Sequence, residues 1–236
     1  MNEKLQKTFR TLNILLLVCA MTCLVCYDIF GGLWLKGLPS CWFAALGRTN
    51  LVYARKRKCP NMRFLYCIAA GLVFGMCADV LLGVQSILGI VSFALGHVCY
   101  LIAFYTLEKP KMKDLFIVLP IAAASLFVVT GTPYIQIEDP LLKKLLLGYA
   151  VIIACMLGKA ISNLDKSSSR RLICLGCAMF WFSDVMLAID MFGTASRLTW
   201  VLCSYTYWPA QNILAHSIFH FVNEHSNGEE KHGSIL

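Results

Sequence analysis

Apolar runs of about twenty residues, separated by short polar or basic breaks, recur along the whole chain. A helix needs roughly 17–25 mostly apolar residues to cross a bilayer. Eight segments meet that length and predict helices over 11–28, 34–54, 64–83, 86–106, 114–132, 141–161, 172–191 and 197–221. The second is the most interrupted, by Gly37, Pro39 and Arg48, although Pro39 stands near its start, where proline is tolerated. Gly83-Val84-Gln85-Ser86 leaves almost no room between the third and fourth runs, which makes those two helices neighbours. The first run follows Lys4, Lys7 and Arg10 and so imitates a secretion signal; no clear small-x-small cleavage site follows it, and it reads as the first membrane helix.

Composition agrees with the pattern. The 236 residues are 58% hydrophobic and 14% charged, against about 25% charged in a soluble domain. The expected fold is all-α: one polytopic membrane domain of eight helices over residues 1–222, with a polar cytoplasmic tail over 223–236. Most of the 12 cysteines lie inside apolar runs, where cysteine acts as a small hydrophobe, and no paired CxxC zinc pattern occurs. Basic residues collect on the cytoplasmic side of membrane proteins. With the N-terminus inside, 17 of the 21 lysines and arginines fall on cytoplasmic segments. That asymmetry supports an even number of spans with both termini inside. The net charge of +8 is spread over loops, so no nucleic-acid partner is implied. Arg55-Lys56-Arg57-Lys58 reads as a topology determinant, with lipid headgroup contact as the sharper alternative.

Two aspartates break the apolar pattern. Asp79 lies in Met76-Cys77-Ala78-Asp79-Val80-Leu81-Leu82 and Asp184 in Trp181-Phe182-Ser183-Asp184-Val185-Met186-Leu187. A carboxylate at bilayer depth costs roughly 2.5–3.5 kcal/mol on insertion scales and usually faces a protein-lined cavity. Both aspartates sit on spans that start at the cytoplasmic side, roughly 18–20 Å above it. Tyr100 follows Asp79 by 21 residues and Tyr205 follows Asp184 by 21, which suggests a duplicated four-helix unit in parallel orientation, residues 1–107 and 108–222. At comparable depth lie His97, Tyr100, Tyr205, Tyr207 and Gln211, able to form one polar cluster if the helices are neighbours. Each also has a plain reading as packing or as interhelical hydrogen bonding. Asp28 and Asp190 fall at outer span ends. His216 and His220 have metal-like spacing but approach the cytoplasmic end, far from the aspartates, and no metal or cofactor is expected.

These residues carry a resemblance. The chain resembles the YhhN family of eight-span lysoplasmalogenases, which includes animal transmembrane protein 86. The matching pieces are Lys36-Gly37-Leu38-Pro39-Ser40, Ala78-Asp79-Val80-Leu81-Leu82, Phe93 to Tyr100, Phe182 to Ala188 and Ser204 to Gln211. Gly37 replaces a proline often found before span two, and Asp190 stands where a neutral polar residue is expected. The resemblance implies hydrolysis of the vinyl ether bond of lysoplasmalogens to a fatty aldehyde and a glycerophospho-ethanolamine or -choline, in the endoplasmic reticulum membrane. It implies Asp79 and Asp184 as the catalytic acid–base pair, with His97, Tyr100, Ser183, Tyr205, Tyr207 and Gln211 binding substrate or supporting the pair.

The competing class is a proton-coupled transporter or carrier using the same aspartates, since intramembrane carboxylates also mark ion pathways. A retinal-type photoreceptor needs a mid-span lysine, and the only candidate, Lys159, lies at a span end. A metal-dependent lipid amidase needs a histidine cluster that the sequence lacks.

Overall fold

A computed structural model describes residues 2–132 and 135–233. Eight helices follow in chain order: α1 Asn2–Phe30, α2 Leu33–Lys56, α3 Met62–Val84, α4 Ser86–Leu107, α5 Met112–Thr130, α6 Pro140–Ser162, α7 Ser168–Phe192 and α8 Arg197–Gly233. Each predicted run falls on its own helix, the fifth overrunning the end of α5 by two residues, and the interrupted second run is continuous through Pro39. Local chemistry sets the ends. Gly31 and Gly32, at φ +67° and +93°, make the turn from α1 into α2 in a backbone region open mainly to glycine. Asp139 caps α6 by accepting from the amides of Leu141 (2.8 Å) and Leu142 (3.4 Å), with Pro140 at the first helical position. Gln85 alone, in extended conformation, separates α3 from α4.

Six of the eight, α1 and α3 to α7, are long and apolar enough to cross a membrane by length and composition. The other two, α2 and α8, are more polar, and packing accounts for that. Helix α8 rests on α1, α2, α3 and α7, and α2 on α1, α3 and α8. Their polar side chains Ser40, Asn50, Ser204, Gln211 and Asn212 are buried inside the bundle rather than turned to lipid. The lipid-facing surface is apolar instead, as with Ile14, Leu15 and Val18 of α1 and Phe116, Leu119 and Phe127 of α5. Helix α1 is part of this core: Phe9 packs on Tyr53 at 4.9 Å, and the buried Asn13 exchanges hydrogen bonds with Asn50 at 2.7 and 2.9 Å.

The packing follows the four-helix repeat. Hairpins α1–α2 and α3–α4 correspond to α5–α6 and α7–α8, and the α2–α8 contact has its counterpart in α6–α4. Gly71 and Gly176, 105 residues apart, hold equivalent places. The first lets the Tyr100 ring of α4 lie against α3; the second lets Leu214 of α8 lie against α7, where an added Cβ would sit 2.9 Å from the Leu214 side chain. The correspondence is incomplete, since α8 also comes close to α1 and α3 along its backbone, whereas α4 meets α7 through side chains, as at His97 and Phe180.

The helix ends on the side expected to be cytoplasmic are tied by charge. Lys159, fully buried, donates to Asp114 Oδ2 at 2.8 Å and to the Lys109 carbonyl at 3.0 Å. Glu108, just past α4, pairs with Lys111 and with Arg170 of α7; the Lys111 hydrogen bond foremost, with Arg170 opposing partial burial, holds its carboxyl below the usual glutamate range. Helix α8 runs unbroken into the polar tail, where Glu224 accepts from Ser169 N (3.0 Å) and Oγ (2.5 Å) and Asn223 from Tyr53 (2.6 Å).

Candidate active site

Asp79 is buried on α3, and its hydrogen bonds converge on Oδ2. Ser40 of α2 donates one, and Tyr207 of α8 donates the other at 2.9 Å. Behind these stands a neutral relay. Trp208 Nε1 donates to Ser40 Oγ at 3.1 Å, Gln211 Nε2 reaches Tyr207 at 3.4 Å, and Tyr100 donates to Gln211 Oε1 at 2.6 Å. Each hydroxyl that receives a bond therefore has its own proton directed onward to Asp79. Gly75 makes space for this set, because a Cβ there would meet the Gln211 amide.

Asp184 of α7 is served from α4 and α6. Tyr149 of α6 donates to its Oδ2 at 2.5 Å. The fully buried His97 of α4 places Nε2 3.2 Å from the same oxygen and 2.8 Å from the Tyr149 hydroxyl. Tyr149 has one proton and gives it to Asp184, so His97 Nε2 is the donor at these contacts; the tautomer follows from the network. Nδ1 is then the bare nitrogen, and it has no hydrogen-bond partner among the described residues. Phe180 packs edge-on against the ring at 4.5 Å and fixes its plane.

The two carboxylates line one cavity. Its volume is about 240 Å³, and Lys36, Ser183, Asp190 and Tyr207 line it as well. Toward the outer end of the bundle it shares Tyr27, Asp190 and Trp200 with an open mouth of about 490 Å³. In the other direction it shares Phe93, Asp184, Leu187 and Met191 with a narrow apolar slot of about 60 Å³ between α4, α5, α6 and α7. Ile90, Val129, Leu146 and Ile153 line that slot, and Trp181 Nε1 donates to Ser125 Oγ across α5 and α7 at 2.8 Å. Asp184 thus stands where a chamber with polar and charged walls meets an apolar one.

Of the residues singled out from sequence, Asp79, Asp184, His97, Tyr207 and Gln211 come together. Tyr100 belongs to the set only through Gln211. Ser183 walls the cavity but spends its proton on the Phe180 carbonyl at 2.7 Å. Tyr205 lies apart: it is 37% exposed and donates to Asp28 at 3.0 Å, so the shared offset of Tyr100 and Tyr205 does not give them a shared role. His216 and His220 face each other at 3.2 Å, with His216 against Asn13, away from the cavity. Four further residues enter: Ser40, Tyr149, Trp208 and Lys36. Three of them stand inside the stretches that carry the resemblance. Tyr149 had as its signal only a polar tip in the middle of the apolar run 145–157.

Comparison with known proteins gives one match. A model described as the YhhN family matches residues 5–218, nearly the whole bundle, and no curated protein and no solved structure matches the chain.

Proposed function

The chain belongs to the YhhN family, and from that membership we propose that it is a membrane hydrolase that cleaves the vinyl ether bond of lysoplasmalogens. The observation that carries the reading is the shared cavity: the buried Asp79 and the partly buried Asp184 line one chamber, and that chamber continues at Asp184 into an apolar slot. A single-chain lipid has the matching shape, with an alkenyl chain for the slot, a polar head for the chamber and the vinyl ether at the junction.

The chemistry suits a carboxyl pair. One member, protonated, transfers its proton to the β-carbon of O–CH=CH–R, and the electron pair of the double bond forms the new C–H bond. The α-carbon becomes an oxocarbenium ion facing the carboxylate just formed, which stabilises it. The other member takes a proton from a water whose oxygen bonds to the α-carbon, giving a hemiacetal. The bond from that carbon to the glycerol oxygen then breaks, the glycerol oxygen takes a proton, and the hemiacetal hydroxyl loses one. Water and lysoplasmalogen become a fatty aldehyde and a glycerophospho-headgroup, with the pair restored. Two carboxyl groups in different surroundings divide acid and base work in this way. His97 is suited to recharge Asp184: a proton taken up at its bare Nδ1 is matched by release of the Nε2 proton. The expected location, carried over from the family resemblance, is the endoplasmic reticulum membrane.

Purified protein supplied with lysoplasmalogen in heavy water is expected to release aldehyde carrying one deuterium on the carbon next to the carbonyl, read by mass spectrometry. Release of aldehyde without that label contradicts protonation at the β-carbon. Solute-dependent flux in liposomes with no aldehyde favours the carrier reading instead.

A further inference from the structure

The cavity wall carries charges that the hydrolytic chemistry does not use. Lys36, half-buried at the start of α2, is the cation lining this cavity among the described residues, and it forms neither an ion pair nor a side-chain hydrogen bond there. Asp79 acts on it through space, but no side chain bonds it directly, so its ammonium group is open to an anionic ligand in the cavity. Nearer the mouth, Asp190 accepts one hydrogen bond, from Thr199 to Oδ1 at 2.6 Å, and lines both the cavity and the open mouth. Its neighbour Asp28 is different. Arg197 neutralises Asp28 and stacks on Trp200 at 4.6 Å, so Asp28 is already paired. Asp190 is the mouth carboxylate left for a cation, beside the rings of Tyr27 and Trp200, whose centroids lie 5.8 Å apart.

We propose that the polar cavity binds a zwitterionic phospho-amine headgroup, with the phosphate on Lys36 and the ammonium on Asp190. This deepens the lipid-hydrolase reading and rests on it for the orientation of the lipid. From slot to mouth the protein presents apolar side chains, the carboxyl pair, a cation and an anion. A lysolipid presents its chain, its ether linkage, a phosphate and an amine in the same order. Lysine suits a phosphate as a point charge able to donate in several directions.

The test is binding without turnover. Purified protein is titrated with 1-O-alkyl lysophosphatidylethanolamine, which has no vinyl ether to cleave, and with 1-O-alkyl lysophosphatidic acid, which has no amine; tryptophan fluorescence reports binding. The wild type is expected to prefer the amine-bearing lipid by about tenfold, in line with a partly buried ion pair. Asp190→Asn is expected to remove that preference while leaving the phosphate-only lipid bound as before. Lys36→Gln is expected to weaken both lipids about equally, and Lys36→Arg to restore much of the loss. Thermal unfolding of each variant separates lost binding from lost fold. An unchanged amine preference in Asp190→Asn, or equal phosphate binding in a folded Lys36→Gln, overturns the proposal. Aldehyde release by the wild type without this charge signature also overturns it while leaving the hydrolase reading intact. The signature without aldehyde release does the reverse.

Discussion

The surroundings of Asp79 and Asp184 make a comparison inside one cavity. Each carboxylate accepts from two neighbours on Oδ2, and each draws them from equivalent helices of the repeat. Asp79 on α3 is served from α2 and α8, Asp184 on α7 from α6 and α4. The chemistry of the donors differs. Around Asp79 they are hydroxyls backed by an indole and an amide, groups that hold position and do not exchange charge near neutral pH. Around Asp184 one donor is an imidazole, the side chain whose ordinary titration lies nearest neutrality. The two carboxylates are thus similarly placed, and one histidine separates their surroundings: Asp79 is held by two hydroxyls, and Asp184 by a hydroxyl and an imidazole.

The largest way to break this comparison is His97→Gln. Glutamine keeps an N–H near Asp184 and removes the ability to relay a proton, so aldehyde release is expected to fall about a hundredfold, within the range of general acid–base contributions, with the fold retained. Full activity in a folded variant removes the chemical distinction between the two aspartates. Next in size is a matched pair, Tyr149→Phe against Tyr207→Phe. Tyr149 bridges His97 and Asp184, whereas Asp79 keeps Ser40 when Tyr207 loses its hydroxyl. Rate assays are expected to show the larger loss in Tyr149→Phe, and equal losses contradict the asymmetry.

Stability sharpens the comparison further. Gly75→Ala places a Cβ against Gln211, which Tyr100 and Tyr207 hold in position. Overpacking of this kind costs about 1–3 kcal/mol, and the Asp79 side is expected to lose order first. Gly148→Ala, next to Tyr149 in sequence but facing open space, is expected to leave the melting temperature in detergent unchanged. The smallest effect is expected at the cytoplasmic rim. The Glu108 carboxyl is held below its usual range, so its contribution is present above the ordinary glutamate pKa and disappears as pH falls through the folded value. Glu108→Gln should therefore lower the melting temperature at about pH 7 and make no difference at about pH 2. It touches neither aspartate, and the ratio of activities between the tyrosine variants should not move. A change in that ratio means that the rim and the cavity are coupled.

Most of the fold was legible because the bilayer imposes a fixed length on each apolar run, and charge asymmetry then fixes direction. Helix α2 was harder to read, because a helix packed against three others can carry polar residues that a lipid-facing one cannot. Within the site, Asp79 and Asp184 were legible as expensive exceptions and His97 as a lone intramembrane imidazole. Partner choice was less legible, since it depends on how each helix is rotated. Tyr205 and Tyr207 are two residues apart on α8 and so face away from each other; only one could meet Asp79, and their spacing alone did not say which. Ser40 and Tyr149 are ordinary residues in apolar surroundings. Their importance appears only once α2 lies against α3 and α6 against α4.

The most direct measurement is the rate of aldehyde release by Asp79→Asn, Asp184→Asn and the double variant, each checked for a wild-type melting profile. If the carboxylates act as one pair on one vinyl ether, each single change is expected to cost nearly as much as both together, about a thousandfold or more. Wild-type activity in either single variant, or losses that multiply in the double variant, would contradict the pairing of Asp79 with Asp184.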